Sequence, residues 1–264
     1  MLRSGSGSSR DFAAAVILGR LPGVTRVAAL GVRSIAAAFN SLTSPQDVWA
    51  GSATTFPLPS SAVALEVLSS SASDAVAGIG AQKVTFDMLD ANYGQIASFS
   101  VNLDGTTPVA LPNGAAYLRI NSARTGMATP STSARQKNIG DITIRDAGGG
   151  TIRAVIPANI GTLQQCIYTT PAASTLVIQS VECAILTSAG GVSRGADFLL
   201  TFRSADGSAP SPRRLGCTDV QPYRLDTSTD IRVPEKTDFI GSCIYTSSAN
   251  MTVGLSFEGH LYKN

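Results

Sequence analysis

Ala97-Ser98-Phe99-Ser100-Val101-Asn102-Leu103-Asp104 carries an apolar side chain at every odd position and a polar one at every even position. A period of two belongs to a strand with one buried and one solvated face. Gly105-Thr106-Thr107-Pro108 then ends the run with turn chemistry. The same alternation recurs at Lys83 to Met88, Ala116 to Ile120, Asp141 to Ile144, Thr151 to Ile156 and Gln164 to Thr169. It continues at Leu176 to Leu186, Phe198 to Arg203, Tyr223 to Leu225, Phe239 to Tyr245 and Met251 to Leu261. Loops rich in Gly, Pro, Ser and Asn separate these runs, and no helical crossover of roughly 10–15 residues lies between them. The pattern predicts an all-β fold: an antiparallel β-sandwich or jelly-roll-like body, built as two sandwiches.

Ahead of the strands, Asp11 to Asn40 has helical character, with Asp11 as a cap and Pro22-Gly23 as a break. Residues 1–48 are therefore expected to form a partly helical anchoring arm, 49–159 a first sandwich domain and 160–264 a second. Phe12, Val16, Ile17, Leu18, Val24, Val27, Leu30, Ile35 and Phe39 form the arm's apolar stripe. Such a stripe offsets the ordering entropy of docking, roughly 1–2 kcal/mol per residue. Trp49, just past the arm, reads as a large anchor packed on a core or a partner. Arg20, Arg26 and Arg33 interrupt the stretch, so no uncharged run approaches the roughly 20 residues of a membrane-spanning helix. Gly148-Gly149-Gly150 is a second candidate boundary. No repeat of fixed period is visible, so a solenoid or propeller is not expected.

Charged residues make up only 14% of the 264-residue chain, against roughly 25% in an ordinary soluble protein. A surface covered by Ser, Thr, Asn, Gln and Gly repels neighbouring copies weakly, which suits a subunit packed against others. The net charge of +2 carries no basic block beyond Arg213-Arg214, which argues against nucleic-acid binding. Cys166, Cys183, Cys217 and Cys243 contain no C-x-x-C spacing, so a zinc knuckle is excluded. Buried thiols are the simpler reading of the four, with a disulfide among them as the alternative. His260, the sole histidine, falls on the polar face of the last strand and reads as a solvated residue, since no nucleophile motif accompanies it. Asp87, Asp90 and Asp104 are candidate carboxylates for glycoside hydrolysis, but as strand-end residues beside turns they read first as turn formers. Neither Gly78-Ile79-Gly80 nor Gly148-Gly149-Gly150 joins a strand to a helix, so both read as turns. No catalytic, cofactor or metal site is expected.

Seven phrases occur in a fixed order. They are Gly19-Arg20-Leu21-Pro22-Gly23-Val24, Asp47-Val48-Trp49, the Ser69–Asp74 run with Ala77-Gly78-Ile79-Gly80-Ala81, Leu103-Asp104-Gly105-Thr106-Thr107-Pro108-Val109, Asn138-Ile139-Gly140-Asp141-Ile142, Tyr168-Thr169-Thr170-Pro171-Ala172 and Pro234-Glu235-Lys236-Thr237-Asp238. Together they resemble a family of tailed-phage virion structural proteins common in environmental phage genomes. Members of that family usually carry Gly-Thr-Gly-Ala where this chain has Gly78-Ile79-Gly80-Ala81. The resemblance runs over most of residues 10 to 245. It implies virion membership and brings no catalytic residues. The expected role is a homo-oligomeric component of the neck, collar or tail, bound to portal, adaptor, tail or major capsid proteins, without membrane or nucleic acid. The rivals are a capsid decoration protein and a receptor- or glycan-binding tail module using Tyr117, Tyr223 or Tyr245.

Overall fold

The structure, a computed structural model, describes residues 22–112, 116–127, 137–188, 194–204, 210–218 and 222–264. Among them are seventeen strands and no helix. In chain order these are β1 (Val24–Ile35), β2 (Phe39–Asn40), β3 (Gln46–Asp47), β4 (Leu65–Ser69), β5 (Lys83–Leu89), β6 (Phe99–Asn102), β7 (Val109–Ala110), β8 (Arg119–Gly126) and β9 (Ile142–Asp146). They continue with β10 (Ile152–Ile156), β11 (Ile167–Thr169), β12 (Ser174–Ser188), β13 (Gly195–Ser204), β14 (Arg213–Thr218), β15 (Tyr223–Val233), β16 (Thr237–Thr246) and β17 (Met251–Lys263). Every pairing between strands is antiparallel.

The strands make four sheets. Sheet I runs β1-β17-β12-β15, and sheet II runs β11-β16-β13-β14 with β2 and β3 added on β16. Sheet III runs β10-β9-β4-β7, and sheet IV β6-β5-β8. Alternation sets the inward face of each. Met251, Val253, Leu255 and Phe257 of β17 are buried together with Phe198, Leu200, Phe239 and Cys243 from sheet II, so sheets I and II share one apolar core. Phe239 and Phe257 meet edge to face across it, with centroids 4.7 Å apart. Val67, Ile142, Ile144, Ala154 and Ile156 of sheet III bury against Val84, Phe86, Met88 and Val101 of sheet IV in a second core. Trp49, Phe56, Ile167 and Ile240 form a third cluster, joined by Val155, where sheet II meets sheet III. Open hollows lie where sheet IV faces sheet I.

The sheets therefore follow one another in a propeller-like ring, which the lack of a sequence repeat had argued against. Sheets of three to six strands build the ring here, so no repeat period is needed. Gly148-Gly149-Gly150 is not a boundary but the turn between β9 and β10 inside sheet III, with Gly148 and Gly149 at φ 81° and 82°.

The helical arm is corrected. From Val24 onward it is a twelve-residue strand that pairs with β17 in unbroken register from Val24↔Tyr262 to Ile35↔Met251. Val27, Ala29, Gly31, Arg33 and Ile35 point to the core of sheets I and II, with Ile35 fully buried and Val27 and Ala29 packed against it. Ala28 and Leu30 on the opposite face are exposed. With apolar residues on both faces, and Gly31 and Arg33 among the inward ones, the stretch shows no clean alternation, and tertiary pairing overrides local helical preference. Phe12, Val16, Ile17 and Leu18 lie outside the described residues.

Candidate interaction surface

Residues of the expected stripe contribute to two different things. Ile35, together with Val48, is interior, and Phe39 packs on the same core. Trp49 is an internal anchor: it is buried, its ring meets Phe56 edge to face at 5.0 Å, and its Nε1 donates to the Ala53 carbonyl at 2.9 Å. Leu30, by contrast, is 45% exposed. It lies on β1, the terminal strand of sheet I among the described residues.

β1 forms one wall of a trough. At one end Val32, Ser34, Trp49, Pro157, Ile160 and Leu186 line an open cleft of about 620 Å³. Ile160 and Leu186 are 46% and 50% exposed, so that end is apolar. The middle is a hollow of about 350 Å³ between Ala28–Leu30 and Asn121–Arg124 of β8, sharing Gln164 with the first cleft. The far end, about 400 Å³, is polar and includes Arg26, Asp87, Arg124 and Tyr168. Arg26 there pairs with Glu258 at 2.5 Å on an exposed face.

Hydrogen bonds tie together the floor under the apolar end. Arg33 is buried, and its Nη1 donates to the carbonyls of Asp47 at 3.1 Å and Ala53 at 2.9 Å, while Nε donates to Gln46 Oε1 at 3.0 Å. Burial pulls its pKa down and Asp47 pushes it back up, but a guanidinium stays charged throughout the useful pH range. Asp47 is held in turn by Phe56 N–H at 2.7 Å and Ser242 Oγ at 2.6 Å.

The ordered turn-like phrases converge on hydrogen-bond hubs. The Asp74 carboxylate, fully buried, accepts from Ser69 Oγ at 2.6 Å, Ala81 N–H at 2.8 Å, Ile139 N–H at 2.9 Å and Gly140 N–H at 2.9 Å. Gly105 N–H donates to the Asp74 carbonyl at 2.9 Å, and Ser69 N–H to the Gly105 carbonyl at 2.8 Å. Three phrases thus meet at one residue, two of them at its carboxylate. A side chain at Gly80 would strike the Asp74 carboxylate, and one at Gly78 the Ser73 carbonyl, which accounts for both glycines.

A second hub is Asp238. It forms a two-pronged ion pair with Arg119, Nε to Oδ1 at 2.8 Å and Nη2 to Oδ2 at 2.9 Å, and accepts from Thr169 Oγ1 at 2.6 Å. Both charged partners are buried, and Arg119 also donates to the Pro59 carbonyl at 2.7 Å. Asn121 exchanges two bonds with the Thr169 backbone at 2.8 and 2.9 Å. These contacts join sheet IV to sheet II. Sequence reading missed both hubs because the deciding partners, Ile139 and Gly140 for Asp74 and Arg119 and Thr169 for Asp238, lie tens of residues away; Ser-Asp and Pro-Glu-Lys-Thr-Asp resemble ordinary turns.

The remaining candidates fall apart as a catalytic set. Asp90 caps its own turn, accepting from the N–H groups of Asn92 and Gly94, each at 2.8 Å. Asp87 accepts from Ser98 Oγ in the polar end of the trough. Extending the β5–β6 register places Asp104 level with Ala81, six residues from Asp87 along β5. That is about 20 Å of strand, whereas glycosidase carboxylates stand roughly 5–9.5 Å apart. His260 is not solvated: it is 4% exposed, and burial with the nearby Arg26 lowers its pKa, against an upward pull from Glu258. Tyr117 is interior, stacked on Phe99 with its hydroxyl on the Pro112 carbonyl, so it joins no aromatic patch; Tyr223 is 42% exposed. All four cysteines are buried thiols, and burial raises Cys166 and Cys243, the latter to about 12. Among the described residues, no group of three or more His, Cys, Asp or Glu is placed to hold a metal.

The class that fold and site define is an all-β protein of antiparallel sheets with an open trough beside β1. No family model matches the chain, and no curated protein matches it. Among solved structures, a Bacillus thuringiensis Cry1Da tryptic core variant is similar at 10% identity and TM-score 0.23, over 93% of this chain and 54% of that one. The chain thus spans about half the length of the Cry1Da core. The infectious bursal disease virus Gx strain structure is similar at 11% identity and TM-score 0.17, over 90% and 70%. The same virus's VP2 subviral particle gives 10% identity and TM-score 0.17, over 96% and 82%. Likenesses of this size carry no argument about function.

Proposed function

We propose that this chain is a non-enzymatic structural subunit of a tailed-phage virion, assembling with copies of itself and with neighbouring virion proteins at the neck, collar or tail. One observation carries the assembly: β1 is a twelve-residue edge strand whose outer face, with Leu30 exposed, opens into an apolar-ended trough. Natural sheet edges of this length are normally blunted by charge, proline or cover, and an exposed apolar rim is stable in water when another subunit sits on it. Virion membership rests on the ordered phrases, whose residues build the Asp74 and Asp238 hubs. What the chain has in common with that family is therefore the apparatus that holds its loops. The two cores are taken as two sandwich-like units joined near residue 159. The anchoring role of the leading stripe passes to Phe12, Val16, Ile17 and Leu18, ahead of β1.

Light scattering on the full chain tests the assembly. The expected result is a closed low-order oligomer that Leu30→Asp together with Leu186→Asp converts to a folded monomer. A wild-type monomer overturns the self-association. Removing residues 1–20 leaves the body folded and prevents incorporation into particles; uptake of the truncated chain overturns the anchor. Copy number relative to the major capsid protein separates the reading from its nearest rival, since a ring position needs few copies and a decoration protein hundreds. The receptor-binding reading has Tyr223 as its exposed aromatic, and a cell-binding measurement without signal removes it.

A further inference from the structure

Cys183 lies on β12 of sheet I and Cys217 on β14, the edge strand of sheet II, and both belong to the core those sheets share. Two separate features bring them together. In the β12–β15 register Cys183 stands opposite Tyr223. Tyr223 in turn lines a surface depression with Gly195, Asp197, Gly216 and Cys217. Contacts between β12 and β14 bring the two thiols within reach of each other, and each perturbs the other's ionisation. The pairing of Cys217 with Cys243 fails on geometry. Cys217 and Cys243 sit on β14 and β16 with β13 between them, opposite Ala196 and Phe198. Two strand spacings put their backbones roughly 10 Å apart, beyond the reach of a disulfide at about 7 Å. Cys166 stands opposite Gly241, whose N–H donates to its carbonyl, and Cys243 Sγ bonds the Tyr245 carbonyl.

We propose that Cys183 and Cys217 are a redox pair that closes into a disulfide bridging sheets I and II when the protein meets a low-molecular-weight disulfide such as oxidised glutathione. Cys217 is the attacking thiol. It is 7% exposed at the wall of the depression, whereas Cys183 is fully buried behind it. The neighbouring Cys183 also favours the Cys217 thiolate and is itself pushed up by Cys217 and by burial. Cys217 gives its proton to solvent and attacks one sulfur of oxidised glutathione. A bond forms between Cys217 and one glutathione, and the other leaves as a thiolate that takes up a proton. Cys183 then loses its proton and attacks the Cys217 sulfur; the protein disulfide forms as the second glutathione departs and is protonated. Two protein thiols are oxidised and one disulfide is reduced. The pair goes beyond the virion reading and stands without it, as a lock for a subunit that leaves a reducing compartment.

The native full chain is incubated with oxidised glutathione, its remaining thiols are alkylated, and its peptides are mapped without reduction. The expected product links Cys183 to Cys217, leaves Cys166 and Cys243 alkylatable only after denaturation, and melts roughly 5–10 °C higher than the reduced chain. Cys183→Ser then keeps glutathione on Cys217. Linkage through Cys166 or Cys243, a stable glutathione adduct on Cys217 in the wild type, or an unreactive Cys217 in the folded chain each overturns the proposal. The mapping needs only the wild-type chain, so a variant that folds poorly does not decide it.

Discussion

Asp74 is a carboxylate taken wholly out of water, and its stability comes from the N–H and hydroxyl donors that surround it. Charge-assisted bonds of this kind are stronger than neutral ones. Asp74→Asn keeps the shape but turns an NH₂ toward backbone donors, and is expected to cost roughly 2–3 kcal/mol in chemical denaturation. His260 makes the opposite case. Its folded pKa is lowered, so the folded state prefers the neutral ring. The stability this contributes is complete above the unfolded value of about 6.5 and is lost as pH falls below it toward the folded value. The wild type is therefore expected to lose melting temperature between pH 7 and pH 5 more steeply than His260→Gln. Parallel pH profiles check this.

At the scale of the element, β1 depends on one position. Gly31 faces the core where the Val48 carbonyl and the Cys166 N–H come so close that any Cβ would overlap them. Gly31→Ala is expected to destabilise by roughly 1–3 kcal/mol or more, since backbone has to move. Gly195→Ala in β13 would meet only ordinary contacts and stays within about 0.5 kcal/mol. Equilibrium unfolding of the pair tests whether close approach, and not glycine loss in general, is responsible. The same element shows where sequence reading stops. The alternating strands β5, β6, β13 and β17 were legible because one face is apolar and the other largely polar. β1 was not legible, because its inward row includes Gly31 and Arg33 and its outward row includes Leu30.

Across the whole molecule, the ring is held by contacts between sheets far apart in sequence. The Arg119–Asp238 pair joins residues 119 positions apart and, with the Trp49 cluster, ties the core of sheets III and IV to sheet II. Arg119→Ala leaves Asp238 buried without its guanidinium and is expected to cost roughly 3–5 kcal/mol. Calorimetry should show one unfolding transition in the wild type and two in the variant, as the cores lose their coupling. Among the sites, the cysteines and Trp49 were identified by residue type. Their neighbours were not: no spacing links Cys183 to Cys217, or Asp74 to Gly140.

By itself the sequence determined the antiparallel strands and most of their inward faces, because a period of two is a local property of the chain and burial of one face follows from it. The ring of sheets, the conversion of the leading segment into an edge strand, the burial of His260 and the meeting of distant turn phrases at two carboxylates were decided only in the tertiary structure. Each depends on which distant partner supplies the missing hydrogen bonds and apolar contacts, and that choice is made when the whole chain packs.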